Sequence, residues 1–88
     1  MNPQREAVAG SLESSDVLVT VSPRPEQGVE LVVDSIVIKQ FGARIRKVAA
    51  EVAESSGLGG ATVRIQDRGA LECTLRARLE TAIARATA

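Results

Sequence analysis

Hydrophobic positions recur at two different periods along the chain, and the places where the period changes predict its elements. Residues 16–22 read Asp-Val-Leu-Val-Thr-Val-Ser, rich in β-branched side chains and halted by Pro23, which predicts a strand. Pro23-Arg24-Pro25-Glu26-Gln27-Gly28 has the composition of a connection, and Val29–Val33 (Val-Glu-Leu-Val-Val) predicts a second strand. So short a link favours an antiparallel hairpin. Beyond Asp34 and Ser35, either of which can cap a helix, Phe41, Ile45, Val48 and Val52 recur at steps of four, three and four and share one helical face. Arg44, Arg46, Lys47, Glu51 and Glu54 fall largely elsewhere, as a solvated side requires. Ile38 stands where a Glu would complete a capping box. Gly42 inside this helix costs roughly 1 kcal/mol relative to Ala, and Gly57-Leu58-Gly59-Gly60 stops it. Thr62–Gln66 alternates around Val63 and Ile65, a third strand, and Asp67-Arg68-Gly69 is a turn. Leu71, Leu75, Leu79 and Ile83 then step by four along a second helix, whose last residues, Ala84–Ala88, are expected to fray.

The order is strand, strand, helix, strand, helix. A helix joining two strands of one sheet crosses its face, and both helices on one face give a small two-layer α+β domain (ββαβα). Residues 1–88 are read as one domain, with 1–10 a polar, flexible lead-in, and Ala7–Leu12 offers a short extra strand. The expected spatial order puts the first strand between the other two.

Composition narrows what such a domain does. With 88 residues it buries only about 60–65% of its unfolded surface. Formal net charge is zero, with eleven Lys and Arg against eleven Asp and Glu, so there is no general field for nucleic acid or an anionic membrane. Phe41 is the sole aromatic residue, which removes stacking platforms for single-stranded nucleic acid. No stretch approaches the roughly 20 apolar residues of a membrane span, and Ala7-Val8-Ala9 is too short for the core of a signal peptide, so a cytoplasmic protein is expected. The single cysteine, Cys73, fits a reducing compartment and is read as structural and buried. The absence of histidine argues against a metal site and rules out Ser–His and Cys–His nucleophile pairs. No catalytic residue of its own is expected.

The informative segment is Gly10-Ser11-Leu12-Glu13-Ser14-Ser15-Asp16-Val17, adjacent hydroxyls in a polar stretch just before a strand. By composition it reads as a serine-rich turn. A serine that accepts a bulky group also needs an exposed loop that fits another protein's cleft. Ala7 through Val17 resembles the N-terminal signature of citrate lyase acyl carrier proteins, Ala-Val-Ala-Gly-x-Leu-Glu-Ser-x-Asp-Val, with Ser14 on the attachment serine. Lys39-Gln40-Phe41-Gly42 is similar to that family's central helix, and residues 67–80, Asp-Arg-Gly-Ala-Leu-Glu-Cys-Thr-Leu-Arg-Ala-Arg-Leu-Glu, to its C-terminal block. Family members often have Gly after the attachment serine, where this chain has Ser15.

The resemblance implies a non-catalytic carrier, the gamma subunit. Ser14 would be joined through a phosphodiester to a phosphoribosyl-dephospho-coenzyme A arm ending in a thiol that is acetylated in the active complex. An alpha subunit would exchange acetyl for citrate to give a citryl thioester, and a beta subunit would cleave it to oxaloacetate and regenerate the acetyl thioester. The implied partners are those two subunits, a prosthetic-group transferase and an acetylating ligase. Asp34-Ser35-Ile36 resembles the phosphopantetheine site of helical carrier proteins, but this neutral, strand-containing chain makes Ser35 a helix cap instead. Gly57–Gly60 lacks a following Gly-Lys-Ser/Thr, so a helix stop outweighs a phosphate loop. Arg76 and Arg78 are open between phosphate or partner contacts and an ordinary solvated face. The alternatives are a malonate decarboxylase carrier bearing the same type of arm, and an unmodified α+β interaction module.

Overall fold

The computed structural model describes residues 1–88. In chain order the elements are β1 (Ala7–Gly10), β2 (Val17–Pro23), β3 (Val29–Ser35), α1 (Ile38–Ser55), β4 (Ala61–Asp67) and α2 (Glu72–Thr87). The four strands form one sheet in the order β1-β2-β4-β3. Both helices lie on one face, so the two-layer α+β arrangement expected from the sequence is what the chain adopts. The extra strand offered by Ala7–Leu12 is β1.

Strand periodicity determines which side chains enter the core. Val17, Val19 and Val21 of β2 and Ala61, Val63 and Ile65 of β4 alternate inward, and each is at most 1% exposed. They meet Ile45, Val48, Ala49 and Val52 of α1 and Leu75, Leu79, Ala82, Ile83 and Ala86 of α2. Phe41 continues the apolar face of α1 but stays 44% exposed, lining a groove of about 350 Å³ with Leu71 and Leu75. Ala86 is fully buried and its carbonyl accepts the N–H groups of Gln4 and Arg5. The end of α2 is therefore packed where fraying was expected. The N-terminal ammonium donates to the Gly57 carbonyl, tying the start of the chain to the end of α1.

Two expectations about pairing are corrected. β2 and β3 do not form a hairpin; β4 lies between them, antiparallel to β2 (Val19↔Ile65) and parallel to β3 (Val33↔Ile65). The third predicted strand, not the first, is thus the central one of the three. Crossing one strand means spanning about 10 Å at ordinary strand spacing, well within reach of residues 24–28. That link is anchored by Arg24 N–H to the Gly60 carbonyl at 2.9 Å and Ala61 N–H to the Gly28 carbonyl at 3.2 Å. Burial explains the order. The inner face of β4 is sealed, which favours a strand on each side, whereas Val29, Leu31 and Val33 of β3 are only half-buried and suit an edge. The hairpin that does form joins β1 to β2 (Ala9↔Val19), through residues 11–16.

The start of α1 is also corrected. Its N-cap is Val37, with no side-chain cap. Ser35 ends β3 instead, where its buried hydroxyl donates to Asp67 Oδ2 at 2.8 Å and accepts from the Val37 N–H at 3.1 Å. The far end of α1 stops as its glycines predict. Gly57 takes φ 66° and the Leu58 N–H returns to the Ala53 carbonyl at 3.0 Å, which closes the last turn. No helix is long and apolar enough to cross a membrane.

Candidate functional site

The connection between β1 and β2 is a short raised turn with Ser14 and Ser15 at its corners. The Asp16 N–H donates to the Glu13 carbonyl at 3.1 Å, closing it. Ser15 takes φ 65° and is the one non-glycine residue with a positive value. Ser14 is exposed, and its hydroxyl makes no hydrogen bond within the chain.

Beneath these corners the backbone is held on two sides. Across the hairpin, the Ser11 N–H donates to the Val17 carbonyl at 3.2 Å. Gly10 makes this closure possible: its φ is 97°, and a Cβ there would fall 1.8 Å from the Val17 oxygen and 3.2 Å from Arg78 Cδ. On the other side, the Ser15 N–H donates to the Arg68 carbonyl at 2.8 Å and the Arg68 N–H to the Asp16 carbonyl at 2.9 Å. These bonds carry the β2–β4 ladder beyond its last pair, Val17↔Asp67. The 67–70 turn that takes part is fixed by Asp67, which is buried and accepts from the Ser35 hydroxyl and, at 3.0 Å, from the Ala70 N–H.

Asp16 is the centre of the polar base. Its carboxylate accepts from the Ser11 hydroxyl at 2.7 Å, from its neighbour's N–H on Val17 at 2.7 Å, and from Arg78 through Nε at 3.2 Å and Nη2 at 3.1 Å. The Ser11 hydroxyl, the Arg78 guanidinium and the Val17 N–H together hold the Asp16 carboxyl down at about 2, well below the ordinary carboxylate range. Each of these groups donates to the ionised form, and the two-pronged Arg–carboxylate geometry fixes direction as well as distance.

Of the serines singled out by sequence, only Ser14 and Ser15 combine exposure with a hydroxyl free of partners. Ser11 is engaged by Asp16, and Ser35 is buried against Asp67. Arg78, left open in the sequence, belongs to this site through Asp16, sixty-two residues away; Arg76 does not, since it pairs with Glu51 and Glu72 on the helix surfaces. The Arg78 contact joins opposite ends of the chain, and no local spacing announces it. Cys73 is exposed, not buried as expected, because it lies in the first turn of α2 away from the Leu75–Leu79 face. No cluster of His, Cys, Asp and Glu is gathered as a metal site. No other side chain is hydrogen-bonded to the Ser14 hydroxyl, which faces solvent.

Comparison with known proteins gives a consistent family. Residues 4–86 match the model of the acyl carrier protein (ACP) family described as malonate decarboxylase delta subunit (MdcD). The chain is 50% identical to the citrate lyase acyl carrier protein of Streptococcus mutans, over 98% of this chain and 84% of that one. It is 48% identical to the citrate lyase acyl carrier protein of Klebsiella pneumoniae, over 98% and 89%, and 54% identical to that of Rhodopseudomonas palustris, over 93% and 84%. Among solved structures, a chain of a Pseudomonas malonate decarboxylase hetero-tetramer in complex with malonate shares the fold, with a TM-score of 0.83 and 20% identity over 94% of this chain and 84% of that one.

Proposed function

The chain belongs to the acyl carrier protein family that includes the citrate lyase acyl carrier proteins, and from that premise we propose that it is the carrier subunit of a citrate lyase, with Ser14 esterified to a phosphoribosyl-dephospho-coenzyme A group. What supports the reading is the free, exposed hydroxyl of Ser14 at the corner of a turn with a hydrogen-bonded base, and the resemblance of Ala7–Val17 to the family signature selects it over the equally free Ser15. A large group there meets open solvent, whereas at Ser11 or Ser35 it would have to displace a bond to a carboxylate.

The group supplies a terminal thiol on which acyl groups are held as thioesters. The chain's own residues attach it and present it. Ser14 contributes Oγ as the ester oxygen and gives up its proton; the attacked phosphorus must carry an anhydride leaving group, which departs with its bonding electron pair. No side chain of this chain is hydrogen-bonded to the Ser14 hydroxyl, and the base that takes its proton is assigned to the transferase. Citrate cleavage then belongs to alpha and beta subunits. The carrier's contribution is tethering, which raises effective concentration at two active sites in turn.

Intact mass after co-expression with the transferase and its donor-forming enzyme tests the site. The wild type and the Ser15→Ala and Ser35→Ala variants are expected to gain the mass of the group, and Ser14→Ala to gain none while keeping its stability within about 0.5 kcal/mol. An unmodified wild type, or a modified Ser14→Ala, refutes the assignment. The matching family description and the shared fold favour malonate decarboxylase as the second reading. Reconstitution with citrate lyase or malonate decarboxylase subunits decides between them, and identity near 50% to citrate lyase carriers supports the first.

A further inference from the structure

We propose that Arg78, acting through Asp16, is a positioning residue that holds the Ser14 turn in the shape the transferase accepts; the proposal rests on Ser14 being the modified residue. Three observations carry it. First, Asp16 follows the two corner serines and is the only residue of the turn whose side chain ties it to a helix: both of its oxygens receive Arg78 from α2, at 3.2 and 3.1 Å. Second, the same carboxylate organises the turn internally by taking the Ser11 hydroxyl at 2.7 Å and the Val17 N–H at 2.7 Å, while Ser11 Oγ accepts from the Glu13 N–H at 3.3 Å. A shift of Asp16 is therefore passed to the residues on both sides of Ser14. Third, the stem of Arg78 runs beside Gly10, where a side chain would come within 3.2 Å of Cδ. The strand that enters the turn thus leaves room for this arginine.

The ion pair is partly shielded, with the Asp16 side chain 16% and the Arg78 side chain 42% exposed, so it resists screening better than a pair in open solvent. Its role follows from population arithmetic. If the turn samples several shapes and one is accepted, apparent affinity falls by the fraction that is competent. Arg78 raises that fraction without touching the reacting hydroxyl.

The test is the steady-state kinetics of group transfer to the full chain, read by intact mass, with hydrogen exchange at the Ser15 and Asp16 amides as a readout that needs no enzyme. Arg78→Gln is expected to raise KM about tenfold with kcat nearly unchanged, and to speed exchange at both amides. Asp16→Asn is expected to do the same, and the double variant to be no worse than either single one, since both remove one interaction. Arg78→Lys, which keeps the charge and loses the fork, should fall between. Arg76→Gln, on the same helix but paired with Glu51 and Glu72, should leave KM unchanged.

A harmless Asp16→Asn beside a damaging Arg78→Gln overturns the proposal in favour of direct contact between Arg78 and the transferase. Equal damage from Arg76→Gln overturns it in favour of general charge recognition, and unchanged KM and exchange in Arg78→Gln overturn it outright. Transfer to Ser14→Ala would instead sink the site assignment, so the two failures are distinguishable.

Discussion

Replacing Ser15 by glycine should stabilise the protein, although the serine neighbours Ser14, the proposed attachment residue. Ser15 holds φ 65°, and its N–H is fixed to the Arg68 carbonyl at 2.8 Å, so it cannot relax without breaking a tie between the two turns. An L-residue in the left-handed region carries about 1–2 kcal/mol of steric cost that glycine does not. Glycine returns part of this through its freer unfolded chain, roughly 0.5–1 kcal/mol. The net gain is about 0.5–1 kcal/mol, which for a domain of this size raises Tm by roughly 2–8 °C. Far-UV circular dichroism melts and urea midpoints of the wild type, Ser15→Gly and Ser15→Ala measure it, with alanine near the wild type because it keeps the Cβ. Gly10→Ser is the converse, since its Cβ would fall 1.8 Å from the Val17 oxygen, and should cost more than Ser15→Gly gains. A Ser15→Gly Tm equal to or below that of the wild type would show that the backbone at residue 15 is not left-handed in solution, and the strain argument would fail with it.

The Asp16 carboxyl, held at about 2 against an ordinary 3.8, makes the folded state bind protons less readily than the unfolded one. Its contribution to stability is therefore fully present above about pH 4 and is lost as pH falls from about 4 through about 2; urea midpoints across that range should decline less steeply in Asp16→Asn. Leu79 is fully buried between sheet and helices, so Leu79→Ala should cost about 3 kcal/mol in urea unfolding at an unchanged m-value. Cys73 is exposed and should react fully with a thiol reagent in the native state without denaturant. Protection until unfolding would contradict its placement.

Much of the fold was legible because the chain keeps its two periods cleanly. Val17, Val19, Val21, Val63 and Ile65 alternate, Ile45, Val48 and Val52 step helically, and all are buried where those patterns put them. Strand pairing was not legible, because a short link between two strands is equally consistent with direct neighbours and with neighbours once removed. What decides is how deeply each strand is covered, a property of the assembled layers. Ser35 misled for a related reason. A serine ahead of a helix looks like a cap, but the partner that claims it, Asp67, lies thirty-two residues later and is brought alongside only by the parallel pairing of β3 with β4. Phe41 kept its helical phase and still escaped burial, because periodicity gives direction around a helix and not how deeply that direction is covered.

The candidate site was legible to a different degree. An exposed serine carries no energetic signature, so physical reading alone stops at a polar turn, and resemblance to a family was needed to choose Ser14. What that resemblance leaves out is how the turn is held. Its base is assembled from both ends of the chain: Gly10, Ser11 and Asp16 from the first hairpin, Arg68 from the turn after β4, and Arg78 from α2. Arg78 can reach Asp16 only after α2 has packed on β1 and β2, and Arg68 only after β4 has inserted beside β2. A chain still lacking its last helix would have the whole signature from Ala7 to Val17 and half of the lattice that shapes it. The shape of the Ser14 turn is therefore a property of the completed fold, although the residues of its signature lie within the first fifth of the sequence.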